Sequence, residues 1–384
     1  MIRSKANWVI LAAGGTGGHM FPAQALAREL LARGLRVALI TDRRGGGFGP
    51  DLPQVETHCI SASAIAGTGL GKRLLGAMHL GIGFLQARAL LKTLGGDVVV
   101  GFGGYASVPT VFAAARRGRR VILHEQNAVL GRANRLLARR AWAIATSFES
   151  VDGVSPSDRD KIRITGNPVR PGIAALANRP VAVADDAGPL RLLVVGGSQG
   201  AAVFNGVVPA AISLLQPELR QRIEICQQVR GPEIDKVAAA YRTCGVTAEL
   251  AAFIENMPER LAAAHLVISR AGASTVAELA AAGRPAVMVP YPWAADNHQT
   301  ANAQRLVEAG GGWLVPQSML TPESLAERLD SLLSNPALLA RAGRCARATA
   351  RDRAAAALAD LVTAAANAHD DNGAERPSHG EAAA

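Results

Sequence analysis

Three glycine-rich turns in this sequence have the makings of phosphate sites. Gly14-Gly15-Thr16-Gly17-Gly18-His19 follows the apolar run Trp8–Ala12, and Gly196-Gly197-Ser198-Gln199-Gly200 follows Leu190–Val195. The third, Arg270-Ala271-Gly272-Ala273-Ser274-Thr275, follows Leu266–Ser269. Glycine lets a backbone approach a ligand closely. A helix that starts there offers free N–H groups and the positive end of its dipole to an anion. Ser198 reads equally as a hydroxyl for a phosphate oxygen or as a helix N-cap. Thr275 and Glu278 have the T-x-x-E spacing of a capping box, the stronger reading on residue type alone. The functional alternative is a Glu278 carboxylate that accepts both hydroxyls of a nucleotide ribose. His19, beside the first turn, is a candidate general base, because a helix N-terminus favours neutral imidazole. His124-Glu125-Gln126-Asn127 sets four polar side chains directly after a buried run, where loops often carry function. Asp296-Asn297-His298-Gln299 combines carboxylate, amide and imidazole, which suits sugar hydroxyls and equally suits a helix start.

Such turns matter only where something aligns them. Apolar runs at 8–12 and 36–41 flank a helical pattern at 22–33, which makes a βαβ unit and predicts a parallel sheet. Runs at 97–100, 121–123 and 143–146 continue it. At Leu190 the pattern starts again, strand, GGSQG, helix, and continues with runs at 223–227, 248–253, 266–269 and 286–289. The repetition predicts an α/β chain of two Rossmann-like parallel-sheet domains, with ligands at the carboxyl ends of the strands. Residues 167–189, rich in Pro, Ala and Asp, read as the linker. The boundaries expected are 1–169 and 170–349, then a C-terminal helical region starting at Pro336 with Ser334 or Asn335 as cap, and a polar disordered tail over 367–384. The segment from Lys72 to Lys92 is apolar with basic flanks. It reads either as a core helix or as an interfacial segment with Leu75, Phe84 and Leu85 toward lipid.

The chain has 384 residues, 49% of them hydrophobic, with four cysteines and a net charge of +10. The size suits two domains. The cysteines Cys59, Cys226, Cys244 and Cys345 have no metal-ligand spacing and read as reduced thiols. No signal peptide and no apolar run long enough to span a bilayer is expected. The basic surface points to polyanions. Arginine clusters at 116–120 and 132–140 have no interleaved aromatics for base stacking, which argues against nucleic acid. NAD or NADP binding is the alternative for the first turn. That turn lacks a clean GxGxxG, however, and Asp42 is followed by Arg43 and Arg44.

Seven segments in order resemble the MurG family: GGTGGHMFPA at 14–23, GFGGYAS at 101–107, HEQNAVLGRAN at 124–134, GNPVR at 166–170, VVGGSQGA at 194–201, SRAGASTVAELAAAGRPA at 269–286 and DNHQTANA at 296–303. The resemblance implies a GT-B fold, two Rossmann-like domains separated by a cleft, with a last helix over about 350–366 crossing back to the first. It implies an inverting N-acetylglucosaminyltransferase that moves GlcNAc from UDP-GlcNAc to the 4-hydroxyl of the muramoyl sugar of undecaprenyl-pyrophosphoryl-MurNAc-pentapeptide, lipid I to lipid II. It also implies peripheral attachment to the cytoplasmic face of the inner membrane, an anionic lipid surface, contacts with cell-wall synthesis and division proteins, and no cofactor. The lack of an acidic DxD triplet in either Gly-rich region predicts metal independence. By matching motifs, Ile254 meets uracil, Glu278 the ribose, and Ser198 with Ala273, Ser274 and Thr275 the diphosphate, while Val276 and Ala277 count among the substrate-binding residues. Gln299, Asn127, Thr16, Gly17 and Gly18 address the sugar and reaction centre, and Arg170 the donor. His19, or second Glu125, is the base. Pro292-Trp293 stands where the family carries a more polar pair, His298 where Gln is also seen, and Val108 where Gly is familiar. Another UDP-sugar glycolipid synthase of the same fold, a nucleotide-dependent dehydrogenase and a non-catalytic membrane scaffold are the competing readings.

Overall fold

The computed structural model describes residues 8–14, 17–43, 46–62, 70–181, 183, 185, 187–197 and 200–374, without the side chains of 70–74 and 369–374. Thr16, Ser198 and Gln199 therefore lie outside the described residues. Among the described residues the elements run β1 (Trp8–Ala12), α1 (Gly17–Ala32), β2 (Arg36–Thr41), β3 (Glu56–Cys59), α2 (Leu70–Leu94), β4 (Val98–Gly101), α3 (Ser107–Arg116), β5 (Arg120–Glu125), α4 (Arg132–Leu137), β6 (Ala143–Thr146) and β7 (Ile162–Ile164). They continue with α5 (Pro171–Ala174), β8 (Leu190–Val195), α6 (Ala202–Ser213), α7 (Pro217–Arg220), β9 (Ile223–Gln228), α8 (Ile234–Thr243), β10 (Thr247–Ala251), α9 (Met257–Ala263), β11 (Leu266–Ser269), α10 (Ala273–Ala282) and β12 (Ala286–Met288). Then come α11 (His298–Glu308), β13 (Gly312–Leu314), α12 (Pro322–Leu333), α13 (Pro336–Ala348) and α14 (Ala354–Ala374).

The chain divides into two compact units, one of residues 1–126, 130–166 and 353–384, the other of 127–129 and 167–352. In the first unit the strands pair in the order β3-β2-β1-β4-β5-β6-β7, all parallel. Alternate residues enter opposite layers. Val9, Leu11, Val37, Leu39, Val98 and Val100 join one core with α1 and α14. Ile10, Ala12, Ala38, Ile40, Val99 and Leu123 join the other with α2 and α3. Strands covered on both faces read as unbroken apolar runs, which is how this sequence writes them. In the second unit the order is β10-β9-β8-β11-β12-β13, again all parallel. Leu190, Leu192, Val194, Ile225, Leu266 and Ile268 pack there beneath α6, α8 and α12. In each sheet the order reverses beside the first strand, between β1 and β4 and between β8 and β11. Ligands of open α/β sheets bind at such points, at the carboxyl ends of the strands.

Several expectations shift. The first helix starts at Gly17 rather than at 22, which places Gly17, Gly18 and His19 in its opening turn. Pro22 then lies inside the helix and has no N–H to give the Gly18 carbonyl. His124 and Glu125 are the last residues of β5, not a loop. Asn335 is the cap of α13, its side chain accepting from the Leu338 N–H at 3.0 Å, a contact worth about 1 kcal/mol. Helix α14 packs Leu358, Val362 and Ala365 as a buried stripe against the first sheet and continues through Ala374, well past 366, with Arg120 Nη2 donating to the Ala368 carbonyl at 2.7 Å. Helix α2 turns Ala87 and Leu91 inward and packs Phe84 on Phe112 at 5.6 Å between ring centroids, so Phe84 is not a lipid-facing residue. Leu75, Met78, Ile82 and Leu85 form an exposed stripe on its other side.

Candidate active site

In the first unit the carboxyl edge carries a relay of neutral hydrogen bonds that ends on His19. Gln126 Nε2 donates to the Phe102 carbonyl at 3.0 Å and to His124 Nδ1 at 3.0 Å. The carbonyl can only accept, so this end of the amide is the nitrogen and Oε1 is left to face His19 Nδ1 at 3.3 Å. His19 must therefore donate from Nδ1, and Nε2 carries the lone pair of a base. The far end of the relay is fixed by His124 Nε2–H donating to the Gly166 carbonyl at 3.1 Å. The His19 ring lies on Gly103 and Gly104, whose φ values are +87° and +72°. A Cβ on either would only touch the imidazole, at 3.4 Å, so it is the left-handed backbone of both residues that calls for glycine.

His124 is fully buried, and burial drives its pKa down from the ordinary 6.5 to about 4, with the Gly166 bond opposing and His19 assisting. The imidazole thus stays neutral and the relay keeps its polarity at neutral pH. Below pH 6.5 the unfolded chain takes up a proton that the folded chain refuses until about pH 4. His124 therefore stabilises the fold above pH 6.5, and this contribution falls by up to about 1.4 kcal/mol per pH unit on acidification toward pH 4. Urea melts of the wild type and His124→Gln across that window should differ in slope, the variant being flatter. Equal slopes would remove His124 as the cause.

Glu125, the second candidate base, is buried, and its Oε2 accepts from the Gly131 N–H at 2.8 Å and from Asn134 Nδ2 at 2.9 Å. That geometry uses the carboxylate to close the loop after β5. Asn127 belongs to the second unit. There Asn302, fully buried, accepts from the Ala128 N–H at 2.8 Å and donates to Asn127 Oδ1 and to the Ala271 carbonyl, both at 3.1 Å.

The second unit's edge is organised around α10. Gly272 is its N-cap, so Ala273, Ser274 and Thr275 are the first helical residues. Their N–H groups have no intrahelical acceptor, as in any first turn. The Val276 N–H bonds the Gly272 carbonyl at 3.0 Å and the Val276 side chain is buried, so Val276 and Ala277 lie past the anion-facing turn. The Ser274 hydroxyl is buried without a protein partner. Thr275 stands at the third helical position instead of the cap, so the capping box expected from T-x-x-E does not form. Glu278 instead pairs with Arg170, Nε and Nη2 each 3.0 Å from Oε1. Burial pushes the Glu278 carboxyl up from its ordinary value, and Arg170 opposes it.

Beside α10, the Gln299 Oε1 accepts from the Tyr291 N–H at 2.9 Å and the Ala271 N–H at 3.2 Å, which leaves its amide nitrogen for other partners. After β8, a Cβ on Gly196 would lie 2.3 Å from the Ala201 nitrogen, so the turn closes only on glycine. Gln228 ties this turn to the loop of Ile254. It accepts from the Gly196 N–H at 3.2 Å and donates to the Ala252 carbonyl at 3.3 Å, and Ile254 is buried just beyond. Sequence reasoning assigned no individual contact to Gln126, Gln228, Asn302 or Arg270. Arg270 is buried with its guanidinium on the carbonyls of Val289 and Pro290 and on Gln317 Oε1. Gln126 and Asn302 do sit inside the motifs HEQN and DNHQTANA, but their partners are distant in the chain.

Residues 9–146 match the glycosyltransferase family 28 N-terminal domain, and residues 191–358 match the glycosyltransferase family 28 C-terminal domain. A relative from Rhodospirillum centenum, a UDP-N-acetylglucosamine–N-acetylmuramyl-(pentapeptide) pyrophosphoryl-undecaprenol N-acetylglucosamine transferase, is 54% identical over 93% of this chain and 94% of its own. One of the same name from Paramagnetospirillum magneticum is 53% identical over 92% of this chain and 95% of its own. The crystal structure of Acinetobacter baumannii MurG superposes with a TM-score of 0.76 at 32% identity, covering 93% of this chain and 99% of that one. The calicheamicin glycosyltransferase CalG4, at 16% identity and a TM-score of 0.65, shares the fold. Two parallel Rossmann-like sheets, the turns at their switch points and these likenesses place the chain in glycosyltransferase family 28, as a member of the MurG family.

Proposed function

We propose that this protein transfers N-acetylglucosamine from UDP-GlcNAc to the 4-hydroxyl of the muramoyl sugar of lipid I, giving lipid II and UDP with inversion at the anomeric carbon. Family membership sets the reaction class. Within the chain, the reading is carried by the α10 turn, where three N–H groups and the unpartnered Ser274 hydroxyl stand one turn before the Glu278–Arg170 pair. In the first unit, His19 Nε2 takes the proton from the attacking hydroxyl as the new C–O bond forms. In the second, the bond to the diphosphate breaks and its electrons go to UDP. The helix N-terminus stabilises that charge, with Ser198 assigned to the same diphosphate and Thr16, Gly17 and Gly18 to the sugar and reaction centre. Ile254 holds uracil, Glu278 the ribose, and Gln299 and Asn127 the sugar.

Thermal melts with UDP-GlcNAc, UDP-GalNAc, UDP-glucose and NAD test the donor. A ligand at about 100 times its Kd stabilises the fold by about 2.7 kcal/mol. The largest shift is expected with UDP-GlcNAc, and a shift with NAD alone would overturn the reading. Because backbone N–H groups meet the diphosphate, turnover is expected to survive EDTA. Loss of turnover with recovery on adding magnesium would sink that part.

Among the described residues no helix is long and apolar enough to cross a membrane. We place the lipid-facing surface on α2, where Leu75, Met78, Ile82 and Leu85 recur at helical spacing and exposed Arg88 and Lys92 follow for anionic head groups. The protein would thereby sit peripherally on the cytoplasmic face of the inner membrane, within reach of cell-wall synthesis and division proteins.

A further inference from the structure

The loop between β12 and α11 spends stability to hold an unusual shape. Asp296 and Asn297 are consecutive non-glycine residues at φ +50° and +53°, a conformation that costs free energy and clusters at ligand sites. The same loop leaves two aromatic rings in solvent, Tyr291 at 42% and Trp293 at 75% exposure. Their centroids are 5.4 Å apart in an edge-on arrangement, which fixes the indole relative to the phenol. The phenol is itself held by the Arg270 guanidinium, 5.5 Å from its centroid.

The root of this loop is joined to the α10 turn. One amide oxygen, Gln299 Oε1, accepts from both Tyr291 and Ala271, and Ala271 immediately precedes the α10 N-cap. In a nucleotide diphosphate sugar the hexose is bonded directly to the second phosphate. A diphosphate on α10 therefore delivers its sugar to the neighbourhood of Gln299 and of the loop that Gln299 anchors. A hexosamine ring presents axial C–H groups that suit an aromatic face and equatorial polar groups that suit amides and carboxylates. The loop supplies both, the indole of Trp293 and the side chains of Asp296, Asn297 and Gln299.

We propose that Trp293, steadied by Tyr291, is a stacking platform for the sugar of the donor, so that it discriminates UDP-GlcNAc from bare UDP. This rests on the donor reading of the second unit. It adds a specificity-determining residue at the position where the sequence departs from the family's more polar pair.

The test is calorimetric titration of UDP and of UDP-GlcNAc into the wild type, Trp293→Ala and Trp293→Phe. Trp293 is exposed, so the variants should melt as the wild type does. Trp293→Ala should bind UDP as before and UDP-GlcNAc roughly five- to tenfold more weakly, with Phe recovering most of the loss. An unchanged ratio of the two affinities would overturn the platform. So would a rise confined to the KM for the lipid acceptor, which would assign the ring to the other substrate. If the wild type binds neither UDP nor UDP-GlcNAc, the donor reading itself fails and the platform with it.

Discussion

His19→Ala is expected to lower turnover about 10²-fold or more while leaving UDP-GlcNAc affinity unchanged. The size follows from the loss of a general base whose tautomer is already set. Gln126 cannot rotate its amide without facing its oxygen to the Phe102 carbonyl, so the Nδ1–H of His19 has a fixed acceptor and Nε2 a fixed lone pair. Gln126→Leu should reproduce part of the loss in kcat without touching donor KM, since it frees the ring to turn. A merely structural role for His19 would give a different pattern, in which melting temperature and donor affinity fall together with rate. A near-normal rate in His19→Ala would move the proton elsewhere. Glu125 would be the next carboxylate to test, although its Oε2 already holds Gly131 and Asn134.

What the sequence made legible was local and repeated. Each sheet announces itself by a strand, a glycine turn and a helix, because a buried parallel strand needs an unbroken apolar run and the turn after it needs backbone freedom. What stayed illegible depends on partners far apart in the chain. Arg170 and Glu278 are 108 residues apart, and Asn302 and Asn127 are 175 apart. The spacing of Thr275 and Glu278 satisfied a capping rule, yet AGAST offers several cap residues. The extended backbone of Gly272, φ −62° and ψ 145°, took the role as the chain left β11. Helix α2 resisted assignment for another reason. It is apolar on nearly every side, so no period in the sequence separates the stripe of Ala87 and Leu91 from that of Leu75, Met78, Ile82 and Leu85. The clusters of arginine are similarly ambiguous as charge counts. Arg119 is spent on Asp97, and Arg116 and Arg140 lie over Phe112.

Glu278→Ala is expected to raise the KM for UDP-GlcNAc about 10²-fold or more while changing kcat far less. A carboxylate that accepts both ribose hydroxyls makes two charge-assisted hydrogen bonds, each worth about 1.5–3 kcal/mol, and together these exceed the 2.7 kcal/mol of a 10²-fold change. The ribose is remote from the bond that breaks, so this is uniform binding, and its loss belongs in KM. Arg170 serves the same end. Burial favours the protonated acid at Glu278 and the guanidinium opposes this, while its Nε and Nη2, each 3.0 Å from Oε1, hold the carboxyl in place. Removing Glu278 also strands Arg170, so the variant will lose some ligand-free stability, and KM alone does not isolate the ribose contact. Binding of UDP against 2′-deoxy-UDP does. The wild type should prefer UDP, and Glu278→Ala should bind the two equally, since the acceptor of the 2′-hydroxyl is gone. Glu278→Gln, which keeps one acceptor oxygen and the shape, should fall between them. If Glu278→Ala still prefers UDP as strongly as the wild type does, the ribose is held elsewhere, and the Glu278–Arg170 pair is a structural link between α5 and α10.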